Sequence, residues 1–308
     1  MLTKAGLAID VCRRQPRAFI SHAHSDHIAR HEYALCTPET AALYHHRLGK
    51  RPTLAMPYRK PVEWGGLRLT TYPAGHCLGS AMLLAEDGDQ SLLYTGDFKL
   101  GLSATAEQAE LPHAEILVIE STYGHPDYRL PPRGQAVDQL LTVVREALAG
   151  DAVPVIEAYS LGKGQEVTRL LTDAGVPVLQ HKTIFAVSQV YEACGVALGR
   201  HALFTGKAEP GWAVMVPPNV GTLEQLGRQM RIAVTGWSID PRTKYRLKVD
   251  HAVPLSDHAD YDELFEAVAR VSPKVVYCTH GPEGFVDCLR DVGYDARLLG
   301  RARQKRLF

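Results

Sequence analysis

The 308-residue sequence carries no net charge, because 34 lysines and arginines balance 34 aspartates and glutamates. A nucleic-acid partner would therefore have to be gripped by a local basic patch, not by the field of the whole protein. No apolar run approaches the roughly 20 residues that a membrane span requires. The first residues hold no apolar stretch of secretory type, so neither a membrane nor a secretory setting is expected. Internal repeats and Gly/Ser linkers are missing as well. The six cysteines (Cys12, Cys36, Cys77, Cys194, Cys278 and Cys288) include no C-x-x-C pair. In a chain of this size they read as buried thiols of a reducing, cytoplasmic compartment. A hydrophobic share of 45% with 22% charged residues excludes disorder and supplies a core. What the chain has in quantity is histidine, 14 in all, several of them clustered.

Up to residue 120 the pattern is one of short strands: 7–11, 18–21, 67–72, 81–85, 91–95 and 116–120. Gly, Pro and Asp turns separate them, and one helix is expected over about 38–48. From Pro131 the period changes. Val137, Leu140, Leu141, Val144 and Leu148 follow helical spacing. A strand at 153–158, a helix from about 164 to 173, a strand at 176–180 and a helix ending near 195 then alternate, which predicts a small parallel α/β unit. After about Lys248 the order strand–helix–strand resumes, with Leu264, Phe265, Val268 and Val271 on one helix face. The expected organisation is a β-rich domain (1–120 and 249–308) interrupted by an α/β insertion (121–248).

Directly after a predicted strand stands Ser21-His22-Ala23-His24-Ser25-Asp26-His27. Residues i and i+2 of an extended segment point the same way, so His22 and His24 can grasp one ion together. Asp26 and His27, past the strand end, can turn towards a second. Imidazole and carboxylate without thiolate suits zinc, or alternatively manganese, in a hydrolytic site better than a structural zinc. Three more strand ends carry ligand types: Gly75-His76, Thr95-Gly96-Asp97 and Thr279-His280-Gly281. A carboxylate at Asp97 can bridge two metals.

H-x-H-x-D-H, then G-H, T-G-D and a late H-G resemble the ordered motifs of the metallo-β-lactamase superfamily. The resemblance implies an αββα sandwich with one metal on His22, His24 and His76, a second on Asp26, His27 and His280, and Asp97 between them. Asp10 matches an early aspartate that supports the ligands without binding metal. Within the superfamily, Glu120-Ser-Thr-Tyr-Gly and Ser256-Asp-His258-Ala-Asp resemble the motifs that open and close the inserted β-CASP domain of nucleic-acid-processing members, and His280 matches a third. This implies a two-metal phosphodiesterase whose catalytic residues are Asp26, Glu120 and His258. His258 would protonate the leaving oxygen, and Glu120 would hold the imidazolium.

Other segments fit a substrate cleft. Tyr159-Ser-Leu-Gly-Lys163 and Thr235-Gly-Trp237 resemble segments of DNA-repair β-CASP enzymes, including bacterial ligase-associated exonucleases. They offer Lys163 as a phosphate contact and Trp237 as a stacking platform, or else a solvated helix start and a core residue. Ser80, Tyr123, Tyr159 and Ser256 complete the substrate contacts expected. Arg301, Arg303, Lys305 and Arg306 form a basic tail. The expected activity is DNA exonuclease action in repair, with a ligase as a partner. The alternative is RNA processing, because Glu120 and His280 are shared with RNA processors. A small-molecule hydrolase and a non-catalytic scaffold are the rival readings, but the first has no use for Glu120, His258 and the insertion, and the second loses ligands that are all filled here.

Overall fold

The computed structural model describes residues 1–88, 90–221 and 223–299; the basic tail at Arg301, Arg303, Lys305 and Arg306 lies outside the described residues. In chain order the first segment comprises β1 (Ala8–Ile9), β2 (Arg17–Phe19), β3 (Tyr33–Cys36), α1 (Pro38–Leu48), β4 (Thr53–Ala55) and β5 (Val62–Trp64). It continues with β6 (Leu67–Pro73), β7 (Ala81–Asp87), β8 (Gln90–Tyr94) and β9 (Ile116–Glu120). Next come α2 (Arg133–Ala149), β10 (Val153–Glu157), α3 (Lys163–Asp173), β11 (Val178–Gln180), α4 (Lys182–Ala193) and β12 (His201–Leu203). They are followed by β13 (Ala213–Val216), β14 (Gln229–Val234), α5 (Thr243–Leu247) and β15 (His251–Val253). The closing segment holds α6 (Tyr261–Val271), β16 (Val275–Thr279), α7 (Gly284–Asp291) and β17 (Ala296–Leu298).

These elements form two compact units, 1–128 with 258–308 and 129–257. In the first unit the described residues build two sheets. One is parallel, in the order β1-β2-β3-β4, and the other runs β17-β16-β9-β8-β7-β6-β5. Strand alternation assigns their faces. Leu92, Tyr94 and Val118 pack with Phe19 and Leu35 of the small sheet. Leu93, Leu117 and Ile119 point the other way, against Leu264, Val268 and Val271 of α6 and Phe285 and Leu289 of α7. On its own outer face the small sheet sends Ala34 and Cys36 against Ala41 and Tyr44 of α1. The layers are therefore α, β, β, α: the sandwich expected from the motifs.

The second unit is a six-stranded parallel sheet in the order β12-β11-β13-β10-β14-β15. Its central strands are apolar on both faces, as buried parallel strands must be. Ile156, Met215 and Ile232 pack with Leu140 and Val144 of α2 and Val167 and Leu171 of α3, while Val155 and Val214 pack on the opposite side with Leu223.

The cysteines depart from expectation. Cys36, Cys77 and Cys278 are buried, but Cys12 is exposed and Cys194 and Cys288 are half-buried. Cys12 sits in the loop beside the histidine motif, where Sγ donates to the Asp26 carbonyl at 2.7 Å. Among the described residues no helix is long and apolar enough to cross a membrane.

Candidate active site

β7 is antiparallel to both β6 and β8, and β9 and β16 run parallel to β8, so β6, β8, β9 and β16 all point one way. Their carboxyl ends lead into His76, Asp97, Glu120 and His280 respectively. Open sheets place ligands at this edge because the loops leaving it diverge around a crevice. β2 of the small sheet feeds the His22–His27 loop to the same unit. Two glycines make the close loop packing possible. A Cβ on Gly96 (φ 56°) would stand 2.7 Å from the Ser21 side chain, and one on Gly281 would stand 1.8 Å from the Ser121 carbonyl oxygen.

His22, His24, His76 and Asp97 converge, with donor atoms all within 4.8 Å of one another. His24 Nδ1 is 3.0 Å from Nε2 of both His22 and His76. Asp97 Oδ2 is 3.5 Å from His22 Nε2 and 3.3 Å from His27 Nε2. One carboxylate oxygen thus stands between two sets of imidazoles. His27 Nε2 also faces Asp26 Oδ2 at 3.6 Å, although Asp26 itself is exposed. His280 stands further out: its ring centre is 5.6 Å from that of His27, and its backbone is left-handed (φ 56°).

The electrostatics of His22 and Asp97 suit cation binding, whereas His27 favours its protonated form. Burial first, then the neighbouring His27 and His76, holds the His22 imidazole well below its ordinary range, so its lone pair is available. Burial alone would raise the Asp97 carboxyl, but the hydrogen bond from His27 and the charges of His258 and His22 hold it well below the usual carboxylate range. Burial would lower His27, yet Asp10 and Asp97 raise it to about 11. Three imidazole nitrogens beside a carboxylate are a donor set that fits a borderline-soft divalent ion such as zinc.

Asp10, held at φ 43°, touches the histidine cluster from behind. Its Oδ2 is 2.9 Å from His27 Nδ1 and accepts from Ser21 Oγ at 2.5 Å and Tyr94 Oη at 2.8 Å, while Oδ1 accepts from Ser21 N at 2.8 Å. Ser21 Oγ is in turn 3.0 Å from His22 Nδ1. Both histidines are therefore gripped by Nδ1 and present Nε2 to Asp97.

Glu120 is buried and its Oε1 lies 2.9 Å from His258 Nδ1. Oε1 also accepts from Phe98 N at 3.1 Å, and Oε2 accepts from Thr122 N at 3.2 Å and Thr122 Oγ1 at 2.5 Å. The His258 ring is 4.6 Å from the His76 ring. α6 is capped by Asp260, whose side chain accepts from Glu263 N at 2.9 Å, so His258 precedes the helix start and is not part of its cap.

The substrate contacts expected from sequence divide. Ser80 is buried, and its Oγ accepts from His76 N at 3.1 Å and Cys77 N at 3.2 Å, which makes it a brace for the His76 turn. Tyr123 is buried, 6.1 Å from the His258 ring. In the second unit Tyr159 is 53% exposed, Trp237 is half-buried and Ser256 is buried. Lys163 is neither a solvated helix start nor exposed towards a phosphate. It is 1% exposed, and its ammonium is 3.1 Å from Glu166 Oε2 and 3.8 Å from Asp257 Oδ1. The carboxylates needed to offset its desolvation hold it inside.

Sequence reasoning missed the braces. Ser21, Tyr94 and Thr122 were visible only as neighbours of motif residues. Arg47 of α1, which donates to the Ala23 carbonyl at 2.5 Å, is 24 positions away and gave no signal.

The sandwich and its histidine–aspartate edge define a metal-dependent hydrolase class. The chain belongs to the metallo-β-lactamase superfamily and, within it, to the β-CASP nuclease family. Residues 244–297 match the profile of a Zn-dependent metallo-hydrolase RNA specificity domain. A probable DNA ligase of Opitutus terrae is 39% identical over 99% of this chain and 31% of its own length. The 5′ exonuclease Apollo of Gallus gallus is 31% identical over 83% of this chain and 56% of its own. The chain thus spans about a third to about half of these curated relatives. A solved structure of a protein of unknown function from Enterococcus faecalis V583 shares the fold, with a TM-score of 0.66 at 16% identity, over 94% of this chain and 79% of that one.

Proposed function

We propose that the chain is a two-metal phosphodiesterase that shortens DNA from an end and works beside strand joining in repair, in a cytoplasmic setting. The observation that carries this is the Glu120–His258 pair, 2.9 Å apart and one ring contact from the His76–Asp97 cluster. An esterase or lactamase has little need of such a pair, whereas a phosphodiester must expel an alkoxide that requires a proton.

His22, His24 and His76 would hold one divalent ion and Asp26, His27 and His280 a second, with Asp97 within reach of both donor sets; zinc fits first, manganese second. Bound there, such ions would acidify a water and set positive charge against the phosphate. His258 uses Nδ1 for Glu120, and Nε2 delivers the proton to the departing oxygen. Glu120, fixed by Phe98 N and Thr122, stabilises the charged ring and fixes its plane.

DNA is favoured because the 39%-identical relative, matched over 99% of this chain, is described as a probable DNA ligase, and a second relative as a 5′ exonuclease. Tyr159 and Trp237 offer aromatic faces for bases. RNA is the second reading, favoured by the RNA specificity description of the profile matched at 244–297. The deciding measurement is kcat/KM on end-labelled single-stranded DNA and RNA of one sequence, with zinc and with manganese. The expected result is a DNA preference with products released stepwise from one end. An RNA preference of tenfold or more replaces the DNA assignment by the RNA one.

A further inference from the structure

We propose that α1 is a splint for the histidine cluster: its first turn grips the loop that carries His76 and its last turn grips the loop that carries His22 and His24, which makes Thr37, Thr40 and Arg47 positioning residues. The inference rests on the reading of these three histidines as holders of one ion. At the first turn, Thr37 Oγ1 donates to the Gly79 carbonyl at 2.6 Å and Thr40 Oγ1 donates to the same oxygen at 2.8 Å. Both threonines are fully buried, where a hydrogen bond is stronger than in water. Gly79 lies flat against the helix: at φ 75° a Cβ there would stand 2.6 Å from Glu39 Cβ and 2.7 Å from Thr40 N. At the last turn, Arg47 Nη1 donates to the Ala23 carbonyl at 2.5 Å. Between these ends Tyr44 Oη donates to the Ala29 carbonyl at 2.7 Å, which ties the exit of the second loop to the middle of the helix.

The grip reaches the histidines by short paths. Ser80 N donates to the Cys77 carbonyl at 2.9 Å and Ser80 Oγ accepts from His76 N at 3.1 Å, so the turn from His76 to Ser80 moves as one piece with Gly79. Ala23 stands between His22 and His24, and a shift of its carbonyl turns the peptide next to His24. In the chain, 52 positions separate His24 from His76. An 11-residue helix is about 16 Å long and is hydrogen-bonded at every turn, so it can hold two such loops at a fixed spacing. α1 is itself seated on the small sheet by Ala41 and Tyr44. The spacing it holds is the one at which His24 Nδ1 stands 3.0 Å from Nε2 of both His22 and His76.

Two variants and a control separate this role from general stability. Thr37→Ala with Thr40→Val frees the Gly79 carbonyl, and Arg47→Met frees the Ala23 carbonyl. Because Thr37 also caps α1 by accepting from Thr40 N at 3.1 Å, its loss weakens the helix as well. Ala41→Gly weakens the same helix without touching either contact. Zinc affinity, measured by competition with a chelating dye, should fall by about tenfold in the threonine variant and in Arg47→Met, the lower end of what partners of metal-binding histidines cost. Ala41→Gly should change it by under about twofold although its melting temperature falls too. The sign for Arg47 is diagnostic. Its guanidinium feels the Asp26 carboxylate, and by charge alone removing a cation from beside a cation site should tighten zinc. Thr37→Ser with Thr40→Ser keeps both hydroxyls and should restore most of the affinity. In metal-free protein, amide hydrogen exchange should quicken at 76–80 in the threonine variant and at 22–27 in Arg47→Met. If the threonine variant does not fold, Thr40→Val alone, which leaves the Thr37 cap, reads the same end. Zinc affinity lost equally in Ala41→Gly, tighter zinc in Arg47→Met, or unchanged exchange in the loop that was released would overturn the inference. If the parent takes up no zinc, the metal reading fails separately, and hydrogen exchange alone decides whether α1 holds the loops.

Discussion

Asp10 Oδ2 lies 2.9 Å from His27 Nδ1, so a residue that faces away from the centre fixes which nitrogen of His27 faces into it. The same oxygen accepts from Ser21 Oγ and Tyr94 Oη. Supporting carboxylates of this kind commonly change metal affinity by about 10–100-fold. Asp10→Ala should therefore weaken zinc binding by about that factor while the fold persists. Calorimetric titration with zinc, beside elemental analysis of protein purified without chelator, measures it. About two ions per parent chain are expected, and an unchanged affinity in the variant would remove Asp10 from the site.

His258 and His280 should fail in different ways. With His258 as the proposed proton donor, His258→Ala should bind metal as the parent does and lose about 10²–10⁴-fold in turnover. His280→Ala should lose part of its metal as well. Glu120→Gln should follow His258→Ala more mildly, because an amide oxygen in the place of Oε1 still accepts from Phe98 N and still faces His258 Nδ1, although it carries no charge and puts its NH2 against Thr122. Equal metal loss in the His258 and His280 variants contradicts these roles.

Gly281 has no room for a side chain: its Cβ would stand 1.8 Å from the Ser121 carbonyl oxygen, which is backbone and cannot swing aside. Gly281→Ala must part the β9 and β16 loops and carry His280 away from His27. Activity and zinc affinity should both fall by at least tenfold, with little change in far-UV dichroism. Retained activity would show that the position of His280 is unimportant.

Glu107 gives a pH signature away from the histidine cluster. Burial chiefly, with Glu39 adding, raises its carboxyl above the usual range, although Gly79 N donates to Oε2 at 3.1 Å and opposes the shift. Between the unfolded and the folded pKa the native state binds more protons than the unfolded state, so stability falls as pH rises through that window. Glu107→Gln removes the penalty. Its melting temperature should exceed the parent's near neutrality, and the difference should narrow towards about pH 4–5. A difference independent of pH would mean that the carboxyl is not the cause.

The helix at 38–48 was legible to the residue, and the structure shows its signals at work: Thr37 Oγ1 accepts from Thr40 N at 3.1 Å, Pro38 follows, and Gly49 closes the helix at φ 83°. β8 and β9 were legible because each is a short apolar run, 92–94 and 116–119, bounded by turn residues and too short for a helix. By contrast β1, β3, β4 and β5 are two to four residues long. No period can be read from such pieces, and all but β1 went unseen. They exist because neighbouring strands satisfy their backbone groups.

The ligand types and their order after successive strands were determined by the sequence alone, since residue chemistry and a strand end are both local. Which atoms meet was not. That Asp97 offers a single oxygen to His22 and His27, that Ser80 braces a turn, and that Lys163 is drawn inside by Glu166 and Asp257 were decided by tertiary structure. The reason is range. Hydrogen bonds and desolvated ion pairs between residues far apart in the chain depend on where the folded backbone delivers each group, and no spacing along the sequence encodes that position.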